Sequence, residues 1–182
     1  MANTLIESPF QWLQHTELLA KQRAKGLPRR LNIEKNWRGI AFRLRNSYLV
    51  TQIHEIREIL PYNERLAKVP GAKSWVKGLA NIRGSLLPVI DLNECLGGKA
   101  ITRNNRTRML IINQAGLIAG LLVDEVIGIK VFSEHEIDYN TPCNTTILVP
   151  FTKGLFTEDK ITWTVFDMEK LVQNDLFLKA AR

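Results

Sequence analysis

The residues that could carry chemistry are few and scattered. His15, His54 and His135 are the only histidines in 182 residues. No two share the i, i+4 spacing that turns two imidazoles toward one zinc ion, and none has a cysteine beside it. Cys95 and Cys143 lie far apart, and neither belongs to a C-x-x-C. In a reducing compartment both act as small apolar residues. Gly98-Lys99 has the look of the end of a phosphate loop, but Ala100 follows where a hydroxyl should hold magnesium. Asp124-Glu125 and Glu134/Glu136 pair carboxylates, yet adjacent strand residues point to opposite faces and do not work on one bond. There is no G-x-S-x-G elbow, and no G-x-G-x-x-G follows a strand. The sequence offers no nucleophile together with a base and an orienting group. The reading is a non-enzymatic protein without a metal or other cofactor.

Binding is the alternative, and charge is the first guide to it. The chain carries a net charge of +7. Between Lys21 and Arg45 nine basic residues face one acid, Glu34, so the rest is close to neutral. A basic segment of this kind suits an acidic protein, a nucleic acid or an anionic lipid, and equally a solvated linker. A single-stranded nucleic-acid binder on a β-barrel would interleave aromatic and basic residues on one sheet face. Here Phe42 alternates with Arg43 and Arg45 and so points away from them, and Trp163 and Phe166 stand among apolar neighbours. Nucleic acid is therefore the runner-up partner, not the leading one. The longest apolar run, around Leu117–Val123, suits one buried strand and is too short to cross a bilayer. The N-terminus has no basic stretch followed by a long apolar core. The expectation is a cytoplasmic protein without direct membrane insertion.

The elements that must position any binding surface are mostly strands. Residues 8–26 read as a helix, with Ser8 as N-cap, Pro9 at the first helical position and Gly26 as terminator. From Trp37 onward the apolar period is two. Ile40, Phe42 and Leu44 begin a hairpin that turns at Asn46-Ser47 and returns through Tyr48–Ile53. A helical turn is expected at Ser74–Lys77. Leu79–Arg83 and Leu86–Leu92 form a second hairpin around Gly84-Ser85, with Pro88 at a sheet edge or bulge because it cannot donate to a ladder. Arg108–Asn113, Leu117–Val123, Val126–Phe132, Gly154–Phe156 and Ile161–Phe166 complete about ten strands, and residues 133–150 read as a long loop. Asp167 caps a final helix. Many short strands at hairpin spacing, without helix–strand alternation, predict a mainly β fold of one barrel or two.

The segment from Val69 to Leu92 carries more than periodicity. Pro70, Trp75-Val76, Gly78, Arg83-Gly84, Pro88 and Asp91-Leu92 follow in an order that resembles the signature of the CheW-like domain family. Gly120–Val126, with Val123-Asp124, and the stretch from Leu155 to Leu171 resemble that family's later strands and closing helix. The resemblance spans about residues 37–175. Within the family, the N-terminal extension and the wording of Trp75–Arg83 are most similar to coupling proteins of type IV pilus chemosensory systems, with flagellar coupling proteins as the alternative.

The resemblance implies two intertwined five-stranded SH3-like β-barrels with a C-terminal helix. The expected division is an extension and basic linker over 1–35 and a CheW-like domain over 36–178. It also implies partners: the regulatory domain of a CheA-like histidine kinase and the cytoplasmic tip of a chemoreceptor, in membrane-associated arrays. Arg83, at a hairpin end, can reach a partner carboxylate or carbonyl, or can simply tie down its own turn. Glu58 matches an acidic position near the partner surface. Ile56, Val126 and Ile129 match apolar positions of a groove between the barrels, and each could equally be core. Gly78 and Gly84 are backbone requirements, and Gly78 would also let a partner approach.

Overall fold

The computed structural model describes residues 36–62, 65–114 and 116–180, together with Phe10 and Glu17. The helix expected over 8–26 and the basic stretch to Lys35 lie outside the described residues. The chain divides into two units, Met1–Glu34 and Lys35–Arg182, and the second carries all that follows.

The described residues form ten strands, some alternating in exposure like β3 and β8 and others, β6 and β7, near-continuous apolar runs: β1 (Asn36–Leu44), β2 (Ser47–Gln52), β3 (Ile56–Pro61), β4 (Val76–Ile82), β5 (Ser85–Asp91), β6 (Arg108–Gln114), β7 (Leu117–Val123), β8 (Glu125–Ser133), β9 (Thr152–Glu158) and β10 (Ile161–Phe166). Three short helices follow strands: α1 (Leu92–Cys95) after β5, then α2 (Met168–Gln173) and α3 (Asp175–Leu178) after β10. The strands form two five-stranded sheets, ordered β8-β1-β2-β10-β9 and β3-β6-β7-β5-β4. β3 to β7 build one sheet without interruption, inserted between the first two and last three strands of the other. This is the intertwined pair of five-stranded units that the resemblance implies.

The two sheets are copies of one plan. Each has one parallel contact, β2 with β10 and β5 with β7, and is otherwise antiparallel. The stretch Trp75–Leu96 repeats at Phe151–Val172 without a gap. Lys77-Gly78-Leu79 recurs as Lys153-Gly154-Leu155, and Asp91 as Asp167. The register agrees: Val76 opposes Ile90 and Gly78 opposes Val89, while Thr152 opposes Phe166 and Gly154 opposes Val165. In both hairpins the lysine is the extra residue of a bulge. Both hairpins also turn on two residues with positive φ, Arg83 and Gly84 in one, Asp159 and Lys160 in the other, as type I′ turns require.

Three apolar clusters result. One lies inside each barrel, and a larger one, with Phe42, Leu110, Phe166 and Leu171, draws on both sheets. Asp91 and Asp167 are buried and cap α1 and α2 through the amides of Glu94 and Lys170. Each carries its bulge lysine: Lys77 lies 3.6 Å from Asp91, and Lys153 lies 3.4 Å from Asp167. Lys77 also binds Glu94. Burial acts to raise the Glu94 carboxyl, but hydrogen bonds from Lys77 and Ser74 and the lysine charge outweigh it, so its pKa lies below the usual value. That contribution is present at neutral pH and is lost as pH falls through the lowered value.

Several local expectations are corrected. The second hairpin turns at Arg83-Gly84, not Gly84-Ser85, because φ at Arg83 and Gly84 is 50° and 85°. The expected turn at Ser74–Lys77 sits one residue earlier, closed by the Val76 amide on the Lys73 carbonyl at 3.0 Å, because Val76 and Lys77 already belong to β4. The first hairpin turns at Arg45-Asn46, with Leu44 opposite Ser47. Pro88 is not on an edge: β5 lies between β4 and β7. It is tolerated because the β7 ladder begins only at Val89. The stretch 133–150 is not all loop, since short 3-10 turns occupy Glu134–Glu136 and Thr146–Phe151 and Asp138 bridges to Leu155.

Cys95 and Cys143 are both free thiols. Burial, with a smaller effect from the Asp91 charge, pushes the Cys95 thiol up to about 12. A thiol reagent in mildly alkaline buffer should therefore label half-buried Cys143 in the native protein and reach Cys95 only after unfolding. Equal labelling rates on the folded chain would contradict this packing.

Candidate functional site

Arg83, Gly84 and Glu58 gather at one end of the β3–β7 barrel, whereas Trp75 and Asp91 of the same motif meet at the other end of the β4–β5 hairpin. β3 and β4 are the two edges of that sheet. Arg83, carried on the turn after β4, donates from Nη2 to Glu58 Oε1 on β3 at 2.6 Å. The pair thus spans the two edges. The carboxylate is largely covered and the guanidinium is not: their side chains are 23% and 80% exposed. Asn81 Oδ1 accepts from the Gly84 amide at 2.9 Å and fixes the turn from inside. Around the pair is a cleft of about 360 Å³ lined by Arg57, Ile82, Leu87, Ile111 and Ile118. An arginine held by one carboxylate, with most donors still in solvent, can accept a second partner beside an apolar floor.

The other barrel closes differently. There Lys130 of β8 binds Glu158 of β9, and its ammonium lies 4.7 Å from the centre of the Trp163 ring. Edge-to-edge ion pairing is therefore shared, but the exposed arginine and its cleft belong to the β3–β7 barrel.

Gly78 and Gly84 serve different needs. Gly78 has φ 146°, and a Cβ there would stand 2.6 Å from the carbonyl oxygen of Ala67. The close approach comes from this chain, because Ala67 and Leu79 exchange backbone hydrogen bonds at 2.9 and 2.8 Å. At Gly84 a Cβ would meet nothing within 4 Å, so the turn conformation alone favours glycine.

The apolar candidates separate. Ile56 and Val126 hold equivalent places, opposite Ile112 and Phe42 beside a bulge in each sheet. Both pack, partly buried, against the cluster shared by the barrels. Ile129 is not with them. It is 63% exposed and forms an outward stripe on β8 with Ile127 and Val131. Sequence reasoning did not find that stripe, although Ile127, Ile129 and Val131 alternate in the sequence. It also did not find the lysines that support the two buried aspartates, which the repeat of Lys-Gly-Leu could have revealed.

The aromatic residues weighed for base stacking are core. Phe42, Trp163 and Phe166 are each at most 2% exposed, which removes the basis for a nucleic-acid face. Among the described residues no His, Cys, Asp and Glu cluster could hold a metal ion, and no helix is long and apolar enough to cross a membrane.

Comparison with known proteins gives the same outline. The profile of the CheW-like domain matches residues 38–176. Protein PilI of Pseudomonas aeruginosa is 35% identical over 97% of this chain and 98% of its own length. A probable chemotaxis protein CheW of Rhizobium etli is 28% identical, covering 72% of this chain and 84% of that one. The crystal structure of scaffolding protein TtCheW from Thermoanaerobacter tengcongensis superposes with a TM-score of 0.65 at 25% identity, covering 76% of this chain and 94% of the other. With ten strands in two intertwined sheets and the family profile matched over residues 38–176, the chain belongs to the CheW-like domain family.

Proposed function

We propose that this protein is a non-enzymatic adaptor that joins a chemoreceptor tip to the regulatory domain of a CheA-like histidine kinase in a type IV pilus chemosensory system. It works by binding, at membrane-associated arrays. The observation that carries the reading is the exposed Arg83 guanidinium, held over an apolar cleft by Glu58 on an I′ turn that lies inside the family motif. The likeness to a PilI over nearly the whole chain favours the pilus system over a flagellar one. Arg83, Glu58 and Gly84 form the polar part of the contact. Ile56 and Val126 border the shared core where a groove would lie, and Ile129 offers apolar surface beyond it. Gly78 supports the barrel from within. Signal passes as a difference in stability between assembled states, which requires partner contacts that differ between them.

Calorimetry with the purified kinase regulatory domain from the same cell tests this. Saturable, near-stoichiometric binding is expected, and Arg83→Ala should weaken it by roughly tenfold, about 1.4 kcal/mol. The same substitution should change folding stability by less than about 0.5 kcal/mol, as an exposed ion pair is worth little. No binding by the folded protein, with receptor fragments present, would end the adaptor reading. A large fall in stability would make Arg83 a structural residue.

A further inference from the structure

The two barrels follow one plan, but only one is filled with aromatic rings. In the barrel of β1, β2 and β8–β10, Phe156 stacks on Phe132 with ring centroids 4.1 Å apart and on Trp163 at 6.1 Å. Trp37 lies 4.5 Å from Phe132 on the centroid measure. The repeat gives the counterparts in the other barrel. Phe156 corresponds to Ala80 and Trp163 to Leu87, both opposite each other across their hairpins. Lys130 opposes Gly39 as Leu60 opposes Met109, so two residues further on Phe132 corresponds to Tyr62. One aromatic ring is kept and its stacking partners are small or aliphatic.

The space left is open. A cleft of about 730 Å³ lies between β3, β4 and β6, lined by Leu60, Tyr62, Leu66, Ala80, Ile82 and Met109. Its size is that of a ligand pocket. The apolar lining continues the inner cluster of this barrel. Arg65 stands exposed in its wall, and Arg103 lies 5.2 Å from the centre of the Tyr62 ring. The described lining residues include no carboxylate. Met109, an adaptable side chain, replaces the tightly enclosed Gly39 of the other barrel. This cleft is distinct from the Arg83 cleft, and the two share only Ile82.

We infer that this cleft receives an aromatic side chain of a protein partner, with an acidic residue beside it. The filled barrel shows the chemistry that completes the space, a ring where Phe156 sits, and Arg65 supplies the charge that an adjacent carboxylate would meet. The inference does not depend on which protein binds the Arg83 surface.

The full chain, titrated with two probes by amide NMR, decides it. One probe is indole-3-acetate, and the other a capped peptide with one tryptophan between two aspartates. Both should shift the Ala80, Ile82 and Met109 resonances saturably, the peptide at least as tightly as the free acid. Ala80→Phe, which copies the filled barrel, should abolish both shifts while the rest of the spectrum is kept. Ala80→Leu serves the same purpose should the larger ring disturb folding. Arg65→Glu should weaken the peptide by roughly tenfold. Shifts that are absent, or that survive Ala80→Phe and Ala80→Leu, overturn the site. Binding of the free acid without the peptide overturns the protein side chain as its occupant. Kinase binding is not part of the readout, so failure here leaves the adaptor reading intact.

Discussion

Lys153→Met is expected to lower folding stability by about 2–4 kcal/mol, because it leaves the buried Glu55 carboxylate without its cation and Asp167 with only the longer contact to exposed Lys170, at 3.8 Å. Lys153 Nζ lies 3.6 Å from Glu55 and 3.4 Å from Asp167, whose side chains are 5% and 6% exposed. Glu55 ends the 3-10 turn through which the chain leaves one sheet for the other, and Asp167 caps α2. One ammonium therefore serves the crossover, the bulge of β9 and the last helices. Glu55 keeps its bonds from Thr51 and from the Gln52 amide, so the loss comes from uncompensated charge and not from packing. The double variant Lys153→Met/Glu55→Gln should recover part of the stability. Urea midpoints measure both effects. An unchanged midpoint in the single variant would show that solvent, and not Lys153, meets these acids.

Gly78→Ala is the second large effect, at least about 3 kcal/mol, since strain from positive φ adds to a clash with backbone. The carbonyl of Ala67 cannot yield without breaking the bridge to Leu79. Gly84→Ala is the control. Its φ is also positive, but the space is open, so about 1 kcal/mol is expected from conformation alone. The contrast also bears on function. If Gly78 serves the barrel, partner binding by its variant should fall only in proportion to the unfolded fraction. A folded Gly78→Ala protein that no longer binds would return this glycine to the partner surface.

Much of this architecture was legible in the sequence, for reasons that differ by element. Alternation placed the half-buried strands such as β3 and β8, and the unbroken apolar runs placed β6 and β7, which are buried on both faces. Arg83 and Glu58 emerged from the family motif and not from periodicity, since neither has a local signature. Nothing local tells Ile129 from Val126. Both are aliphatic residues of one strand, the bulge beside Phe42 brings both to one face, opposite Phe42 and Ile40, and only Val126 is covered there by the shared cluster. The turn at Arg83-Gly84 was misplaced by one residue because φ above zero is uncommon for arginine, and the hairpin imposes it here. Pro88 misled for the opposite reason: a missing donor matters only where a ladder needs it. The lysine–aspartate supports required comparing the chain with itself, 76 residues apart.

The insertion of one sheet within the other sets an order of events during synthesis. The hairpin of β1 and β2 leaves the ribosome first, and isolated hairpins are marginal in water. All strands of the inserted sheet follow and can close while translation continues. β2 must wait for β10, about 110 residues later, which at about 5–20 residues per second is roughly 5–20 seconds. The earliest strands made thus belong to the last barrel finished, and an unpaired apolar edge is carried through that interval.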